Sequence, residues 1–463
     1  MTTTRRLLAA LLVASLALSA CGGDDGDDGD AGARPSDDAD GATLDVPDDY
    51  DTIQAAVDAA RPGDLILIQP GTYEEAVSVT TDELTIRGLD RNEVILDGGF
   101  ELDNGIRVTG ATGVAIENMT ARNYTQNGFF WTGVEGYRAS YLTTYRIGDY
   151  GIYAFDSVQG LIEHSYTSGS PDAGVYIGQC YPCDAVIDDA VSEYNGLGYS
   201  GTNSGGNLLI VNSTFRFNRA GIVPNSGSYE LCYPERETTI VGNLVYSNNQ
   251  ADTPAIDVAV LVTGNGILPA GGVGNVIERN RVFDHDKTGI GLIPFPEEDA
   301  NDVIPPPEDD DQPCSEAKGE PTADPADLPG TVLWNSRDNR VVGNVVEDSG
   351  DADLAMGSVD VDVATLDNCF QDNTFTTAAP TDVEVLAPCE GEGSGGDFTA
   401  GALDLLSWLT EDQPASGDYE TSPLPDDQEN MPDAEDAPAR PATDVPVEID
   451  LDAIEVPDRP SDA

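Results

Sequence analysis

Apolar residues recur along the chain at intervals of about 23 residues, each directly after a glycine. The pairs are Gly105-Ile106, Gly128-Phe129, Gly151-Ile152, Gly174-Val175, Gly198-Tyr199, Gly221-Ile222, Gly266-Ile267 and Gly289-Ile290. Val, Ile, Thr and Tyr dominate these units, which is typical of short strands. One such unit cannot bury its apolar face alone, whereas stacked units bury it continuously. We predict an all-β solenoid with parallel strands, in which the 45-residue interval after Gly221 holds two coils.

Asparagine recurs at a second set of positions between these glycines. The set comprises Asn118, Asn212, Asn243, Asn280 and Asn344. Asparagine tolerates the left-handed backbone conformation and hydrogen-bonds its own backbone, so it suits a tight turn. Stacking the coils would bring these side chains together as a ladder.

The two ends of the solenoid carry candidate caps. Asp51 and Gln54 fit a capping box, with Asp51 as N-cap of a short amphipathic helix. Such a helix would cover the open edge of the first coil, which otherwise invites aggregation. Near the other end, Leu405, Leu406 and Leu409 could form a second cap.

Four segments near the start resemble a known family. These are Thr52–Val57, Pro70–Tyr73, Leu84–Gly88 and Ile95–Gly98, which resemble the opening of right-handed parallel β-helix repeat proteins. That superfamily includes pectate lyases, pectin methylesterases, uronate epimerases and a copper-loading accessory protein of nitrous-oxide reductase. The resemblance implies a right-handed parallel β-helix with an N-terminal capping helix over residues 44–390. It does not specify the chemistry, because one fold hosts many sites.

The remaining segments differ from this body in composition. Residues 1–20 have a basic start and a short apolar run, as in a secretory signal peptide, and Cys21 follows as in the lipobox of bacterial lipoproteins. Residues 21–43 read as an acidic disordered tether, 295–330 as an acidic loop and 391–463 as an acidic, Pro-rich, mostly disordered tail. We expect an exported protein held at the cell membrane or cell surface by lipid on Cys21.

The charge balance restricts the partners. The chain has 85 acidic and 21 basic residues, a net charge of −64. This excludes nonspecific nucleic-acid binding, which needs basic patches, and leaves the lipid anchor as the only expected membrane contact. Polyanions such as pectate or alginate would be repelled without cations. Calcium is the one cofactor considered, with the Asp-Gly repeats of the tether as an alternative ion site; no metal ligands are assigned.

Six cysteines follow Cys21, namely Cys180, Cys183, Cys232, Cys314, Cys369 and Cys389. An even number in an exported protein predicts disulfides, with fifteen possible connectivities. We expect Cys369 to pair with Cys389. The CxxC spacing of Cys180 and Cys183 could also serve redox chemistry or a metal, but no thioredoxin-like context or second ligand pair accompanies it.

Alternation along the strands predicts two neighbouring outward columns, one with Arg107, Phe130, Tyr153 and Tyr176 and the next with Thr202 and Asn225. The residue after each repeating glycine should point inward, and the next should point outward. The predicted glycan-binding residues on the outer face are Arg107, Phe130, Tyr153, Tyr176, Thr202 and Asn225. Exposed apolar stripes of this kind usually indicate a partner. The alternatives are a one-residue shift that exchanges inside and outside, and coverage of the column by loops.

Candidate acid–base residues lie in two places. Asp172 precedes the aromatic column and could act as a cation ligand or general base, or only in a Pro-Asp turn. Asp284, Asp286 and Lys287 cluster around His285, and a uronate lyase or epimerase needs such groups. Successive strand residues point to opposite faces, however, and His164 and His285 fit turn or ladder positions.

Sequence signatures of the known β-helix enzymes are missing. We find no polygalacturonase, pectin methylesterase or mannuronan epimerase motif, and two histidines and four methionines are few for copper handling. The leading hypothesis is a cell-surface protein that binds a polysaccharide or cell-envelope glycan and processes it as a lyase, epimerase or hydrolase. The alternatives are a noncatalytic structural or adhesion module and a copper-loading accessory protein.

Overall fold

The structure is a computed structural model that describes residues 41–307, 310, 312–317, 324 and 328–461. These residues belong to one compact unit, Arg34–Ala463. The predicted signal peptide (1–20), Cys21 and nearly all of the tether (21–43) lie outside the described residues. No helix in the described part has the length and apolar character needed to cross a bilayer.

The described chain is built mainly of short strands. They are β1 Thr43–Val46, β2 Leu65–Ile68, β3 Gly71–Tyr73, β4 Val77–Val79, β5 Thr85–Gly88, β6 Val94–Asp97, β7 Asn104–Thr109, β8 Thr112–Arg122, β9 Asn127–Thr132, β10 Glu135–Tyr145, β11 Ile152–Phe155, β12 Val158–Glu163, β13 Tyr166–Ser168, β14 Ala173–Gly178, β15 Ala185–Asp188, β16 Val191–Glu193, β17 Leu197–Thr202, β18 Gly205–Val211, β19 Thr214–Arg216, β20 Ala220–Asn225, β21 Arg236–Val241, β22 Leu244–Tyr246, β23 Asn265–Ile267, β24 Val276–Glu278, β25 Arg281–His285, β26 Thr288–Leu292, β27 Phe295–Glu298, β28 Thr331–Trp334, β29 Arg340–Val342, β30 Val345–Ser349, β31 Ala352–Met356, β32 Cys369–Gln371 and β33 Ala378–Ala379. The helices are α1 Ile53–Ala59, α2 Asp257–Leu261, α3 Cys314–Ala317, α4 Val383–Leu386 and α5 Leu405–Trp408.

Each coil contributes one strand to each of three parallel faces, as β12, β13 and β14 do in one coil. The first face contains β12, paired with β10 and β15, and the second contains β13, paired with β10 and β16. The two faces join because β8 and β10 are long enough to belong to both. The third face runs β4-β7-β9-β11-β14-β17-β20-β23-β26-β31-β33. This is the predicted right-handed parallel β-helix.

The glycine register is confirmed along the third face. The inward residues pair in the order Ile106, Phe129, Ile152, Val175, Tyr199, Ile222, Ile267 and Ile290. All of them belong to the main buried core. The prediction of two coils between Gly221 and Gly266 is wrong, because Ile222 pairs directly with Ile267. This single coil instead carries two insertions, residues 226–235 and the segment 247–264 that contains α2.

The asparagine series belongs to two neighbouring columns rather than one. Asn118 and Asn212 occupy a left-handed turn position between the first and second faces, with φ of 56° and 47°. Asn243, Asn280 and Asn344 lie one position later and form the buried ladder. Each Nδ2 donates to the next Oδ1 at 3.0 Å, from Asn243 onward. The sequence alone could not separate the columns, because turn and ladder positions both favour asparagine.

A second buried ladder explains one of the histidines. Asn195, Asn218 and Asn248 stack between the second and third faces, and the Nδ2 atoms donate over 3.1 and 2.9 Å. His285 continues this ladder, with Nε2 3.3 Å from Asn248 Nδ2. His164 lies in the left-handed turn column, with φ of 47°. Both placements agree with the predicted turn or ladder positions.

The caps differ in detail from the predicted ones. Helix α1 forms as expected, but its N-cap is Thr52 rather than Asp51, and Thr52 Oγ1 accepts from Ala55 N at 3.1 Å. At the far end the cap is α4, whose Val383 enters the core. Leu405, Leu406 and Leu409 do not cap this end. Leu405 packs at the margin of an outer cluster on the third face, and the other two remain exposed.

The C-terminal tail, residues 391–461, docks along the body, which differs from the predicted disorder. Body arginines donate to tail carbonyls: Arg219 to Ala415, Arg146 to Ser422, Arg87 to Ala437, Arg138 to Arg440, Arg279 to Leu451 and Arg281 to Pro457. These bonds are 2.6–2.8 Å long. Backbone carbonyls make good acceptors whatever the side-chain composition, so an acidic, Pro-rich segment can still be held.

The tail also covers an apolar outer stripe on the first face. The stripe consists of Ala115, Leu161, Val186, Leu209, Val211 and Val241, and the tail covers it with Ala442, Val445, Val447, Ile449, Leu451 and Ile454. The tail side chains from 445 to 451 alternate with period two, as in a strand with one buried face. The composition of the tail obscured this short pattern.

Three disulfides complete the fold. Cys369 bonds to Cys389 as predicted, and the other pairs are Cys180–Cys183 and Cys232–Cys314. The acidic loop at 295–330 begins and ends in an antiparallel pair, β27 with β28. The loop is tied to the body through Cys314.

Candidate functional site

The outer surface of the third face carries a continuous aromatic strip, which we define as Phe130, Tyr150, Tyr153 and Tyr176. The predicted register is confirmed, since Arg107, Phe130, Tyr153 and Tyr176 pair in successive strands. The rings of Phe130 and Tyr153 stack at 4.6 Å, and those of Tyr153 and Tyr150 at 4.2 Å. The Arg107 guanidinium lies 5.3 Å from the centre of the Phe130 ring. Because the rings stack face to face, their edges and the adjacent cation form a partly exposed surface at this end.

An inserted loop, residues 226–235, covers the part of the third face where the second predicted column, with Thr202 and Asn225, lies. Thr202 and Asn225 are hydrogen-bonded at 2.9 Å, and the hydroxyl of Tyr229 donates to Asn225 Oδ1 at 2.7 Å. Thr202 and Asn225 are therefore buried, although both point outward from the coil as predicted. Tyr176 is also buried, with 1% of its surface exposed. Tyr229 is 48% exposed, and its ring lies edge-on to that of Phe295 at 6.4 Å.

Three carboxyl groups surround the strip where the inserted loop meets it. The hydroxyl of Tyr150 donates to Asp172 Oδ2 at 2.6 Å. The hydroxyl of Tyr176 lies 2.7 Å from both carboxyl oxygens of Glu230. The ring centres of Tyr150 and Tyr176 are 5.0 Å apart, so these tyrosines hold the two carboxyl groups on either side of one aromatic contact. Asp149, next to Tyr150, is the third carboxyl group.

The pKa values of all three carboxyl groups are raised. Burial raises the pKa of Glu230 to about 8, and the charge of Asp172 adds to the effect. Burial also raises the pKa of Asp172 to about 7, although the Tyr150 hydrogen bond opposes this shift and Asp149 adds to it. Burial raises the pKa of Asp149 to about 6. Neighbouring carboxyl groups pushed to different pKa values are typical of acid–base sites.

The structure does not bring the side chains of the second predicted acid–base group, Asp284 to Lys287, together at one site. Asp284 is exposed in a left-handed turn and accepts from Ser247 Oγ at 2.6 Å, while His285 is buried in its ladder. Asp286 is exposed. Lys287 lies over the Trp408 ring at 4.7 Å and pairs with Glu411 of the tail. Strand alternation and the docked tail therefore separate the four residues.

The residues that sequence analysis missed come mostly from the long coil. Glu230 and Tyr229 lie on the inserted loop and meet strands more than twenty residues away in sequence. The sequence signal for this loop was the 45-residue interval between Gly221 and Gly266. If that interval is one coil, it exceeds the usual 23 residues and must contain inserted segments. Tyr150 and Asp149 lie just before β11, two and three residues before Ile152, in a turn with no repeat signature.

The described residues give no metal centre. Among residues 41–461 with their gaps, no three His, Cys, Asp or Glu side chains are arranged to hold an ion. The Asp-Gly repeats considered for calcium lie outside the described residues. His285, Met119 and Met356 are buried, and His164 bonds to Asp189 at 2.6 Å on the surface, so the structure does not bring these copper-type ligands together.

Comparisons with known proteins concern the fold. A family described as "Right handed beta helix region" matches residues 104–293. Similar solved structures include an alginate lyase from Paenibacillus sp. str. FPU-7, at 18% identity over 54% of this chain and 90% of that chain, TM-score 0.36. Another is the A-module of mannuronan C-5 epimerase AlgE4 from Azotobacter vinelandii, at 13% identity over 70% of this chain and 90% of that chain, TM-score 0.41. A third is a rhamnogalacturonan lyase, at 12% identity over 68% of this chain and 82% of that chain, TM-score 0.44.

No curated protein matches the chain in sequence. The parallel three-faced coils and the confirmed glycine register agree with the family match across its whole span. The chain therefore has the right-handed parallel β-helix fold, and the family match covers residues 104–293 of it.

Proposed function

We propose that this β-helix binds a polysaccharide on the aromatic strip of its third face. The observation that carries the proposal is the stacked array of Phe130, Tyr153 and Tyr150. The ring centre of Tyr153 lies 4.6 Å from that of Phe130 and 4.2 Å from that of Tyr150. Sugar rings present C–H groups that pack on the apolar surface formed by the exposed ring edges, and neighbouring hydroxyl and carboxyl groups bind sugar hydroxyls. Rigid aromatic side chains give contact area at a small entropy cost.

Binding should be tested on purified protein with a panel of plant, algal and bacterial polysaccharides, with and without calcium. For a glycan that binds, the double variant Phe130→Ala/Tyr153→Ala should raise Kd at least about tenfold, or about 1.4 kcal/mol. Tyr194→Asn is the matched control, because Tyr194 is half-buried and stacks on Phe217 away from the strip. Failure of every glycan to bind, or equal affinity of the double variant and wild type, would contradict the proposal.

We further propose that the chain is exported and anchored by lipid on Cys21, as the lipobox resemblance implies. The anchor would place the binding face at the cell surface, where polysaccharide is encountered. Expression with radiolabelled palmitate should label the wild type and leave Cys21→Ser unlabelled and released into the medium. Equal labelling of both proteins would contradict the anchor.

A further inference from the structure

We propose that Glu230 and Asp172 form an acid–base pair that hydrolyses glycosidic bonds of an uncharged polysaccharide lying on the aromatic strip. This inference rests on the proposed binding function and names its chemistry. The geometric basis is that two carboxyl groups flank one tyrosine contact at the covered end of the strip. Paired carboxyl groups on either side of a bound sugar are what glycoside hydrolysis needs.

The electrostatic surroundings assign the two roles. Both carboxyl groups accept a hydrogen bond from a tyrosine hydroxyl, which favours the ionised form, but burial raises the pKa of Asp172 only to about 7 and that of Glu230 to about 8, so Asp172 is the base. Glu230 is on the inserted loop, and both its oxygens face the Tyr176 hydroxyl. Burial and the negative charge of Asp172 favour the protonated form of Glu230, and raise its pKa to about 8. Glu230 is therefore the acid at neutral pH.

The reaction adds one water across the bond. Glu230 gives its proton to the leaving glycosidic oxygen as the bond from that oxygen to the anomeric carbon breaks. Asp172 takes a proton from water as the water oxygen bonds to the same carbon. The products are a new reducing end and a free hydroxyl, and the proton returns from Asp172 to Glu230 through solvent.

The surrounding charges specify an uncharged substrate. The charged groups that act on the pair are carboxyl groups, because Asp149 raises the pKa of Asp172 and Asp172 raises that of Glu230. The other titratable neighbours are the strip tyrosines and Tyr229, which burial keeps protonated. Arg107 lies at the opposite end, over Phe130. A uronate polymer would place its negative charges beside these groups and be repelled.

The test uses the full chain with xylan, mixed-linkage β-glucan and galactomannan as neutral probes, and pectate and alginate as charged probes. Reducing ends should accumulate on a neutral probe without absorbance at 235 nm, which marks the unsaturated product of a lyase. Activity should peak between pH 7 and 8, falling below as Asp172 is protonated and above as Glu230 ionises. Glu230→Gln and Asp172→Asn should each lower kcat at least 100-fold, whereas Glu237→Gln, an exposed control, should match wild type.

The outcomes separate this inference from the binding proposal. Each inactive variant should keep the wild-type Kd for the glycan and its thermal unfolding temperature. Binding without hydrolysis by the wild type, an active Glu230→Gln variant, or cleavage of charged probes alone would overturn the inference while the binding site stands. Absence of binding to every glycan would overturn both.

Discussion

The buried arginine that holds the tail gives the sharpest test of how this chain is stabilised. Arg87 and Glu117 form an ion pair at 2.8 Å, and neither side chain is exposed. Arg87 also donates to the carbonyls of Ala437 and Pro438 at 2.6 and 3.0 Å. Arg87→Met removes all three contacts and leaves Glu117 with only Arg138, 4.0 Å away. Breaking one side of a buried pair costs about 3–5 kcal/mol, so we expect a loss of that size.

The assay is urea unfolding followed by far-UV circular dichroism, with limited proteolysis to report release of the tail. Arg459→Met is the matched control, because Arg459 pairs with Asp348 at the surface and lies over Phe283, and should lose about 1–2 kcal/mol. The double variant Arg87→Met/Glu117→Gln should recover part of the loss, since it removes the uncompensated charge. Equal losses for Arg87→Met and Arg459→Met would refute this reasoning.

Three further predictions address the ladders and the disulfides. Asn280→Ala should lower the free energy of unfolding by about 2–3 kcal/mol in urea, because it leaves buried donors and acceptors unpaired. Burial lowers the pKa of His285 to about 3, so the unfolded chain binds a proton at this site more readily than the folded one. The free energy of unfolding should therefore be unaffected by His285 above pH 6.5 and should fall by up to about 1.4 kcal/mol per pH unit as pH falls from 6.5 toward 3. His285→Asn should flatten that part of a stability–pH curve. Cys232→Ser/Cys314→Ser should cost about 4 kcal/mol, because the bond closes a loop across 82 residues and so restricts the unfolded chain.

Matched controls distinguish these effects from general damage. Asn212→Gly should stay within about 0.5 kcal/mol of wild type, because Asn212 is exposed in a left-handed turn that glycine adopts freely. If Asn280→Ala also stayed within about 0.5 kcal/mol of the wild-type free energy of unfolding, the ladder argument would be contradicted. Removing the Cys180–Cys183 bond should cost less than removing Cys232–Cys314, since it closes a separation of only three residues. An unchanged stability–pH curve for His285→Asn would contradict the role of His285.

The sequence predicted the coil register well and the site only in part. A strand with one buried face allows a single register, and this is why the sequence alone places Ile106, Phe129 and Ile152 in the core. Tyr176 was placed on the correct face, and coverage by a loop was one of the alternatives, but the sequence did not identify the loop that covers it. Glu230 reaches Tyr176 from 54 positions away, on an insertion whose path no local pattern encodes.

The tail illustrates the opposite error, in which composition outweighed a short pattern. Its many acidic residues and prolines indicated disorder, but the alternation of Val445, Val447, Ile449 and Leu451 is that of an edge segment with one apolar side. The arginines that bind its carbonyls lie far away in sequence. Disorder predicted from composition considers only what a segment can bury by itself.

The docked tail has a consequence for the order in which the molecule folds. Neighbouring coils meet through contacts about 23 residues apart, so each can stack as soon as the next is synthesised. The bonds from Arg87 to the tail join positions 350 and 351 residues apart, and they can form only after the tail has been synthesised. Contacts of such separation are slow to form. The outer stripe thus stays bare until the tail has been synthesised, and closing of the tail over it follows the stacking of the coils.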